Sequence, residues 1–320
     1  MDELIEVHNI YKVFHTKNSD KTAINGISFT IKSGEIVGYI GMNGAGKSTM
    51  IKIMCGILTP SKGEVKIDGI IPYESRIRNA KNIGAVFGQR SQLWWDLPVI
   101  DSFKLLKSLY KISNREFARI LNYFDDLFGI SNLYNSLVRT LSLGERMKAD
   151  IVASMLHNPK ILFLDEPTIG LDFQAKNKMR EAILDINKRY GTTIILTTHD
   201  LNDIETLCKR ILIINSGKKI YDNSMEKLKT KYGNYKLLEF SNLTDCKFNK
   251  LISILNKNKI SVSVAERNKV KEIILKKDQT NFAKVMEIIG EIDDSLNVEL
   301  RNYPTEEIIE RVYKDNETKK

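Results

Sequence analysis

Cysteine is scarce in this chain and nowhere closely paired. Of 320 residues only Cys55, Cys208 and Cys246 are cysteine, and no two stand in a CxxC spacing. An odd, scattered set supports neither a disulfide framework nor a structural zinc site. The three are expected as small buried apolar residues. Long apolar runs are missing too, since no stretch approaches the roughly 18 consecutive apolar residues of a membrane span. The opening MDELIEVHNI is acidic and alternating, unlike a secretory leader. The chain is therefore expected to be made and kept in the cytosol. There is no internal repeat. The 49 basic residues outnumber the 40 acidic ones, for a net charge of +9. Because the lysines are spread and not blocked, that excess reads as a solvated surface rather than a nucleic-acid or lipid patch. With 42% hydrophobic and 28% charged residues the composition is ordinary for a globular protein. The length allows two domains.

What the chain does have is glycine at close spacing in Gly41–Thr49, GMNGAGKST. The apolar run Ile36–Ile40 before it reads as a buried parallel strand, and Met50–Met54 after it as the first turns of a helix. Gly41, Gly46, Lys47 and Ser48 fill the pattern GxxxxGK[ST] in the strand–loop–helix context it requires. Gly41, Gly44 and Gly46 let the backbone turn tightly with its amides inward, where side chains would block a phosphate. The helix N-terminus adds partial positive charge at the same point. Lys47 is placed to bridge β- and γ-phosphates, and Ser48 to ligate Mg2+. The bland alternative, a turn that merely joins strand to helix, is disfavoured by the full pattern in its full context.

Around this loop the pattern alternates between strand and helix. Residues 4–14 and Ala23–Ile31 alternate apolar and polar, and Gly63–Gly69 is a short strand with a turn, so the opening is antiparallel in character. Ile83–Phe87 is a strand ending in a polar loop with Gln89. From there to about Leu156 the spacing is helical, over Ser102–Tyr110, Arg115–Phe128 and Glu145–Leu156. Lys160–Pro167 is an apolar strand ending in two acids. A helix of about 18 residues follows and stops at Gly191. Thr192–Thr198 is another buried strand, with Asp200 placed to cap the next helix. Arg210–Ile214 and Lys218–Tyr221 form a hairpin. This alternation implies a mostly parallel sheet with helices on both faces. Past Gly233 glycine nearly vanishes. Strands at Tyr235–Phe240, Ile260–Ala265, Val270–Leu275 and Leu296–Leu300 interleave with helices at Phe248–Asn256, Phe282–Ile292 and Thr305–Tyr313. That is βαββαβ with a terminal helix, a ferredoxin-like order. It carries no nucleotide, metal or nucleophile signature, and the tail Asp315–Lys320 is expected to be disordered.

Several residues gain meaning from the phosphate loop. Asp165 lies where an acid can hold Mg2+ directly or through water. Glu166 can polarise a water for attack on the γ-phosphate. Without the loop, the two would read as an exposed acid pair. Gln89 could reach the metal or the attacking water, although a lone Gln in a loop is usually just solvated. His199, at a strand end, is either a structural histidine or a donor to the γ-phosphate that holds Glu166 and the water. Ser142 is a candidate N-cap, with Glu145 three residues on as a capping box. A helix N-terminus with an exposed serine and glycine is also an anion site. Since the phosphate loop is already in the chain, this second site suggests binding from a partner's side.

Across residues 4–230 the chain resembles the ATP-binding subunit of an ABC transporter. GMNGAGKST resembles Walker A, ILFLDEP Walker B, LSLGE the LSGGQ signature and TIGLD, ending at Asp172, the D-loop. Gln89 has the family's Q-loop spacing, with Leu93, Leu97 and Val99 at the usual intervals, and His199 matches the switch histidine. Phe14 matches the aromatic that stacks on adenine, its alternative being a core residue at a strand end. The resemblance implies an α/β P-loop ATPase at residues 1–232, with a mixed sheet, an antiparallel β subdomain and a helical subdomain at about 90–156. A small ferredoxin-like α+β domain at 233–320 follows.

It implies that ATP is held by Phe14, Gly41, Asn43, Gly44, Ala45, Gly46, Lys47, Ser48 and Thr49. Ser142, Gly144 and Glu145 would come from the facing subunit, and Asp172 from the D-loop. Mg2+ would sit on Ser48, Gln89 and Asp165, with Glu166, His199, Gln89 and Lys47 catalytic. The signature departs from the family at Leu143, where glycine is usual, and Glu145, where glutamine is usual; Ser142 and Gly144 are kept. GQRSQLWWDLP and the C-terminal extension resemble ATPases of ABC-2-type exporters, of the drug, viologen or polysaccharide kind. An importer ATPase of the sugar type would instead carry an all-β C-terminus. Trp94 and Trp95 lie where that family docks the membrane subunit's coupling helix, or else fill the helical subdomain's core. The expected partners are ABC-2 permease subunits and a second ATPase subunit, as a homodimer or with a paralogue. The chain would then sit peripherally on the inner face of the membrane. A soluble ABC ATPase acting on ribosomes or DNA is the alternative. It is disfavoured because the chain has neither two ATPase halves nor a long coiled-coil insertion, and no nucleic acid is expected.

Overall fold

In the computed structural model, which describes residues 3–15, 19–88, 91–241, 243–267, 270–292 and 296–317, the alternating and the continuous apolar segments sort into separate sheets. The chain divides into two units, Met1–Met225 and Glu226–Lys320. The first runs β1 (Glu3–His15), β2 (Asp20–Lys32), β3 (Ile36–Gly41), α1 (Lys47–Met54), β4 (Lys62–Ile67), α2 (Arg76–Asn82), β5 (Ile83–Phe87), α3 (Val99–Leu109), α4 (Asn114–Phe128), α5 (Leu143–Met155), β6 (Ile161–Asp165), α6 (Phe173–Tyr190), β7 (Thr193–Thr197), α7 (Leu201–Leu207), β8 (Arg210–Asn215) and β9 (Lys218–Ser224).

The alternating strands make a three-stranded antiparallel sheet in the order β2-β1-β4. Its inward side chains, among them Ile5, Val7, Ile27, Phe29 and Ile31, are buried and join the same core as Tyr39 and Phe163. Asn9 takes φ 48 at the register shift between Val7 and Ile10, a bulge that twists the strand. The continuously apolar strands make a six-stranded sheet in the order β5-β6-β7-β3-β8-β9, parallel except for β9. Both faces of such strands are covered, which is why β6 and β7 carry no alternation.

Helix ends follow local chemistry. The Ser113 hydroxyl accepts from Glu116 N–H to start α4, and Gly129 closes it at φ 64. Asp172 caps α6, and Gly191 ends it at φ 65, the stop that the sequence predicts.

Helix α8 (Met225–Tyr232) begins at the boundary, and the second unit runs on through β10 (Tyr235–Phe240), α9 (Asp245–Lys257), β11 (Val262–Arg267), β12 (Val270–Lys276), α10 (Phe282–Ile292), β13 (Val298–Asn302) and α11 (Thr305–Glu317). Its sheet is antiparallel in the order β11-β12-β10-β13, the ferredoxin-like arrangement expected from the element order. Leu238, Phe240, Leu251, Leu255, Ile273 and Val285 form its core.

Three expectations need correction. The terminal helix continues through Asp315 to Glu317 rather than fraying from Asp315; Ile308, Ile309 and Val312 bury its apolar stripe and hold it. Residues 318–320 lie outside the described residues. Cys246 is exposed on the first turn of α9, so only Cys208 is fully buried and Cys55 is half-buried. Helices α2 and α8 were not anticipated. No helix among the described residues is long and apolar enough to cross a membrane.

Candidate functional site

Parallel strands deliver their C-terminal ends to one edge, where α/β sheets bind ligands. β3 ends in Gly41 and runs into the glycine loop; β6 ends in Asp165; β7 ends two residues before His199. β5 ends at Phe87, and Gly88 N–H donates to Asp165 O at 3.0 Å. That bond draws the segment leading to Gln89 toward the acids. Gln89 itself lies outside the described residues.

The glycines of the loop have separate reasons. A Cβ on Gly41 would stand 2.8 Å from Ile214 O, and one on Gly46, at φ 108, would stand 2.5 Å from Ala23 O. Gly44, at φ 79, faces open space. The first two are needed for packing; the third keeps the mouth of the loop clear. Ala45 is buried, Asn43 and Ser48 are exposed and Thr49 is half-buried. Lys47 begins α1, whose first turn holds no acid to compete with an anion. Its ammonium donates to Gly41 O at 2.5 Å and lies 3.4 Å from Met42 O. Burial lowers its pKa, opposed by the charges of Glu166 and Asp165. A cation held on its own loop's carbonyls is poised to transfer to phosphate oxygens.

Asp165 and Ser48 face each other, with Oδ2 and Oγ 3.5 Å apart. The other Asp165 oxygen accepts from the Thr197 hydroxyl. A carboxylate and a hydroxyl suit Mg2+, a hard cation that takes few protein ligands and keeps several waters. Glu166 stands in the left-handed region at φ 58. For a side chain with a Cβ this costs on the order of 1–3 kcal/mol and persists only where the surroundings enforce it. Here Glu166 N–H donates to Thr197 O at 2.9 Å, and His199 N–H donates to Glu166 Oε2 at 3.2 Å. His199 Nε2 lies 3.4 Å from Glu166 Oε1. Burial raises the Glu166 pKa, partly offset by His199. A carboxylate of raised basicity next to a half-exposed imidazole can accept a proton from water.

Ser142 is the N-cap of α5 and forms the expected capping box. Glu145 N–H donates to Ser142 Oγ at 3.3 Å, while the Ser142 hydroxyl and N–H donate to Glu145 Oε2 at 2.8 and 2.9 Å. Those bonds hold the Glu145 carboxyl below its usual range. Among the described residues no hydrogen bond joins Ser142, Gly144 or Glu145 to the glycine loop. Leu143 packs on Gly170, where φ is 71 and a Cβ would come 2.6 Å from Leu143 Cδ2; Leu171 in turn lies over Gly144. Asp172 is exposed, with its side chain accepting from Ala175 N–H at 2.9 Å. Phe14 is 36% exposed at the end of β1, with the Lys12 ammonium 5.1 Å from its ring centre.

Trp94 and Trp95 are 44% and 52% exposed, so neither fills a core. The Arg146 guanidinium, one turn into α5, lies 5.9 Å from the Trp95 ring. Further along α5, Asp150 accepts from the Ser91 hydroxyl at 2.8 Å and Gln92 N–H at 3.1 Å. Sequence reasoning missed Thr197 and Asp150. Their only signals are a hydroxyl in an otherwise apolar strand end and an acid in a helix's buried stripe.

A family model described as ABC transporter matches residues 24–169. The chain is 31% identical over 225 residues to the ABC transporter ATP-binding protein NatA of Bacillus subtilis, covering 70% of this chain and 91% of NatA. It is 30% identical to the methionine import ATP-binding protein MetN of the same organism, covering 69% of this chain and 66% of MetN. Among solved structures it resembles the dimeric ATP-binding cassette MJ0796 in a post-hydrolysis state bound to ADP and Pi. There the TM-score is 0.63 and the identity 26%, over 69% of this chain and 98% of that one.

Proposed function

The chain belongs to the ABC transporter family of ATP-binding proteins, and on that footing we propose that it is the ATP-hydrolysing subunit of an ABC-2-type exporter. The observation that carries the ATPase reading is the meeting of Lys47, Ser48, Asp165, Glu166 and His199 at one sheet edge. ATP is bound by the glycine loop, with the amides of Gly41–Thr49 and Lys47 on its phosphates and Phe14 against the base. Mg2+ belongs on Ser48 and Asp165, with Gln89 as a third ligand, and neutralises phosphate charge when bound. Glu166 accepts the proton of the attacking water, and His199 holds Glu166 and the γ-phosphate in register. Fixed positive charge and amides around the transferring group supply most of the rate.

One chain carries one glycine loop and one LSLGE, so a complete site takes two copies head to tail. Ser142, Gly144 and Glu145 of one copy, with its Asp172, close over the nucleotide of the other. The cassette MJ0796 is itself dimeric, which supports this reading. The exposed pair Trp94–Trp95 offers aromatic surface to a membrane partner, an ABC-2 permease, and through it the chain is held at the inner face of the membrane. The ATPase is assigned to residues 1–232 and an accessory role to 233–320. Import is the second reading, supported by the likeness to MetN; the permease that copurifies from solubilised membranes decides the direction.

Glu166→Gln tests the core of the proposal. The variant is expected to bind ATP, to lose at least about a hundredfold in turnover and to accumulate as a dimer on size exclusion in ATP. A monomer at saturating ATP counts against the sandwich.

A further inference from the structure

Asp203, on α7, is fully buried. Its Oδ1 accepts from Arg180 Nε of α6 at 2.6 Å. Its Oδ2 accepts from two hydroxyls, that of Thr198 at 2.9 Å and that of Thr168. Thr198 immediately precedes His199, and Thr168 stands two residues after Glu166. Both threonines and Arg180 are themselves almost fully buried. One residue past His199, Asp200 accepts from Lys176 Nζ at 2.6 Å and lies 3.4 Å from Arg180.

One carboxylate thus ties together the two loops that carry Glu166 and His199, and α6 anchors it. Those two residues meet at 3.2–3.4 Å, and Glu166 meets its partner from a left-handed backbone that relaxes if not held. We propose that Asp203 is a positioning residue for hydrolysis, clamping the Glu166 and His199 loops through Thr168 and Thr198. The proposal rests on Glu166 being the base.

Removing Asp203 itself is a poor test, because it takes the nearer of two carboxylates from the buried Arg180 charge and endangers the fold. Thr168→Val removes one hydrogen bond to the Asp203 carboxylate at nearly constant volume. It is expected to lower kcat about tenfold, or about 1.4 kcal/mol, with ATP affinity within about twofold. Thr168→Ser keeps the hydroxyl and keeps the rate. In single-turnover measurements on a Glu166→Gln background, Thr168→Val is expected to change the residual rate less than about twofold, because the threonine acts through Glu166. A full tenfold loss on that background, or a wild-type rate in Thr168→Val alone, overturns the clamp and leaves the base assignment standing. Wild-type turnover in Glu166→Gln alone overturns both.

Discussion

At the scale of single residues, Glu166 shows how placement changes chemistry. Its backbone conformation turns the carboxylate toward His199, and burial makes it more basic than a glutamate in water. A general base works only when deprotonated, so turnover must rise as pH climbs through the Glu166 pKa. Since burial raises that pKa, the acid limb of kcat is expected above the ordinary glutamate value of about 4.3. Rates measured in saturating ATP from acid to neutral pH check this; a profile flat down to pH values near 4.5 would exclude it. Lys47, Asp165 and Glu166 were legible in the sequence because each sits in a fixed spacing that only phosphate chemistry explains. Thr168, Thr198 and Asp203 were not, because a threonine near a strand end and an acid in a short helix occur everywhere. Only the three-dimensional meeting of their oxygens singles them out.

At the scale of elements, α5 is the busiest helix. Its first turn presents Ser142 and Glu145, its second sets Arg146 beside Trp95, and its third buries Asp150 under Ser91 and Gln92. Burial pushes the Asp150 carboxyl up to about 6, despite hydrogen bonds from Ser91 and Gln92 that pull it down. The folded pKa therefore exceeds the unfolded value of about 3.9, and the folded state holds the proton more tightly between those two values. Stability from this group falls as pH rises through that window and stays low above it. Asp150→Asn keeps an acceptor and removes the charge. It is expected to stabilise the protein at pH near 7.5 by roughly 1–3 kcal/mol, the gain fading toward pH 4. Paired urea melts at the two pH values measure it; equal or lower stability at the higher pH would refute it.

Elements were legible where caps and periods agree: Asp172 and Gly191 bracket α6, and the apolar spacing of Phe282–Ile292 marks α10. Helix α2, RIRNAKN, has a single strongly apolar side chain, Ile77, and that one is exposed, so no period exists to be seen. Helix α8, MEKLKTKY, hides its two apolar anchors, Met225 and Leu228, among three lysines.

At the scale of the whole molecule, every group proposed for ATP chemistry lies in the first unit, which has its own core. The second unit closes its own sheet around Phe240, Leu251 and Ile273. A chain ending after Tyr232 is therefore expected to fold cooperatively and to bind ATP within about threefold of the full chain, since it keeps every residue of the core built around Ile5, Tyr39 and Phe163. Thermal melting and titration with a fluorescent ATP analogue test it; loss of the cooperative transition would show that the second unit is needed for the first.

The contact of Leu143 with Gly170 has a consequence for how such a chain can change over time. A Cβ at position 170 would stand 2.6 Å from the Leu143 Cδ2 methyl, so that side chain would have to shift, and it would also face the cost of a left-handed φ of 71. The two positions, 27 residues apart in sequence, are therefore coupled in one direction. A smaller residue at 143 leaves Gly170 free to stay, whereas any side chain at 170 meets both the left-handed φ and the leucine methyl. A change that starts at 143 thus meets less resistance than one that starts at 170.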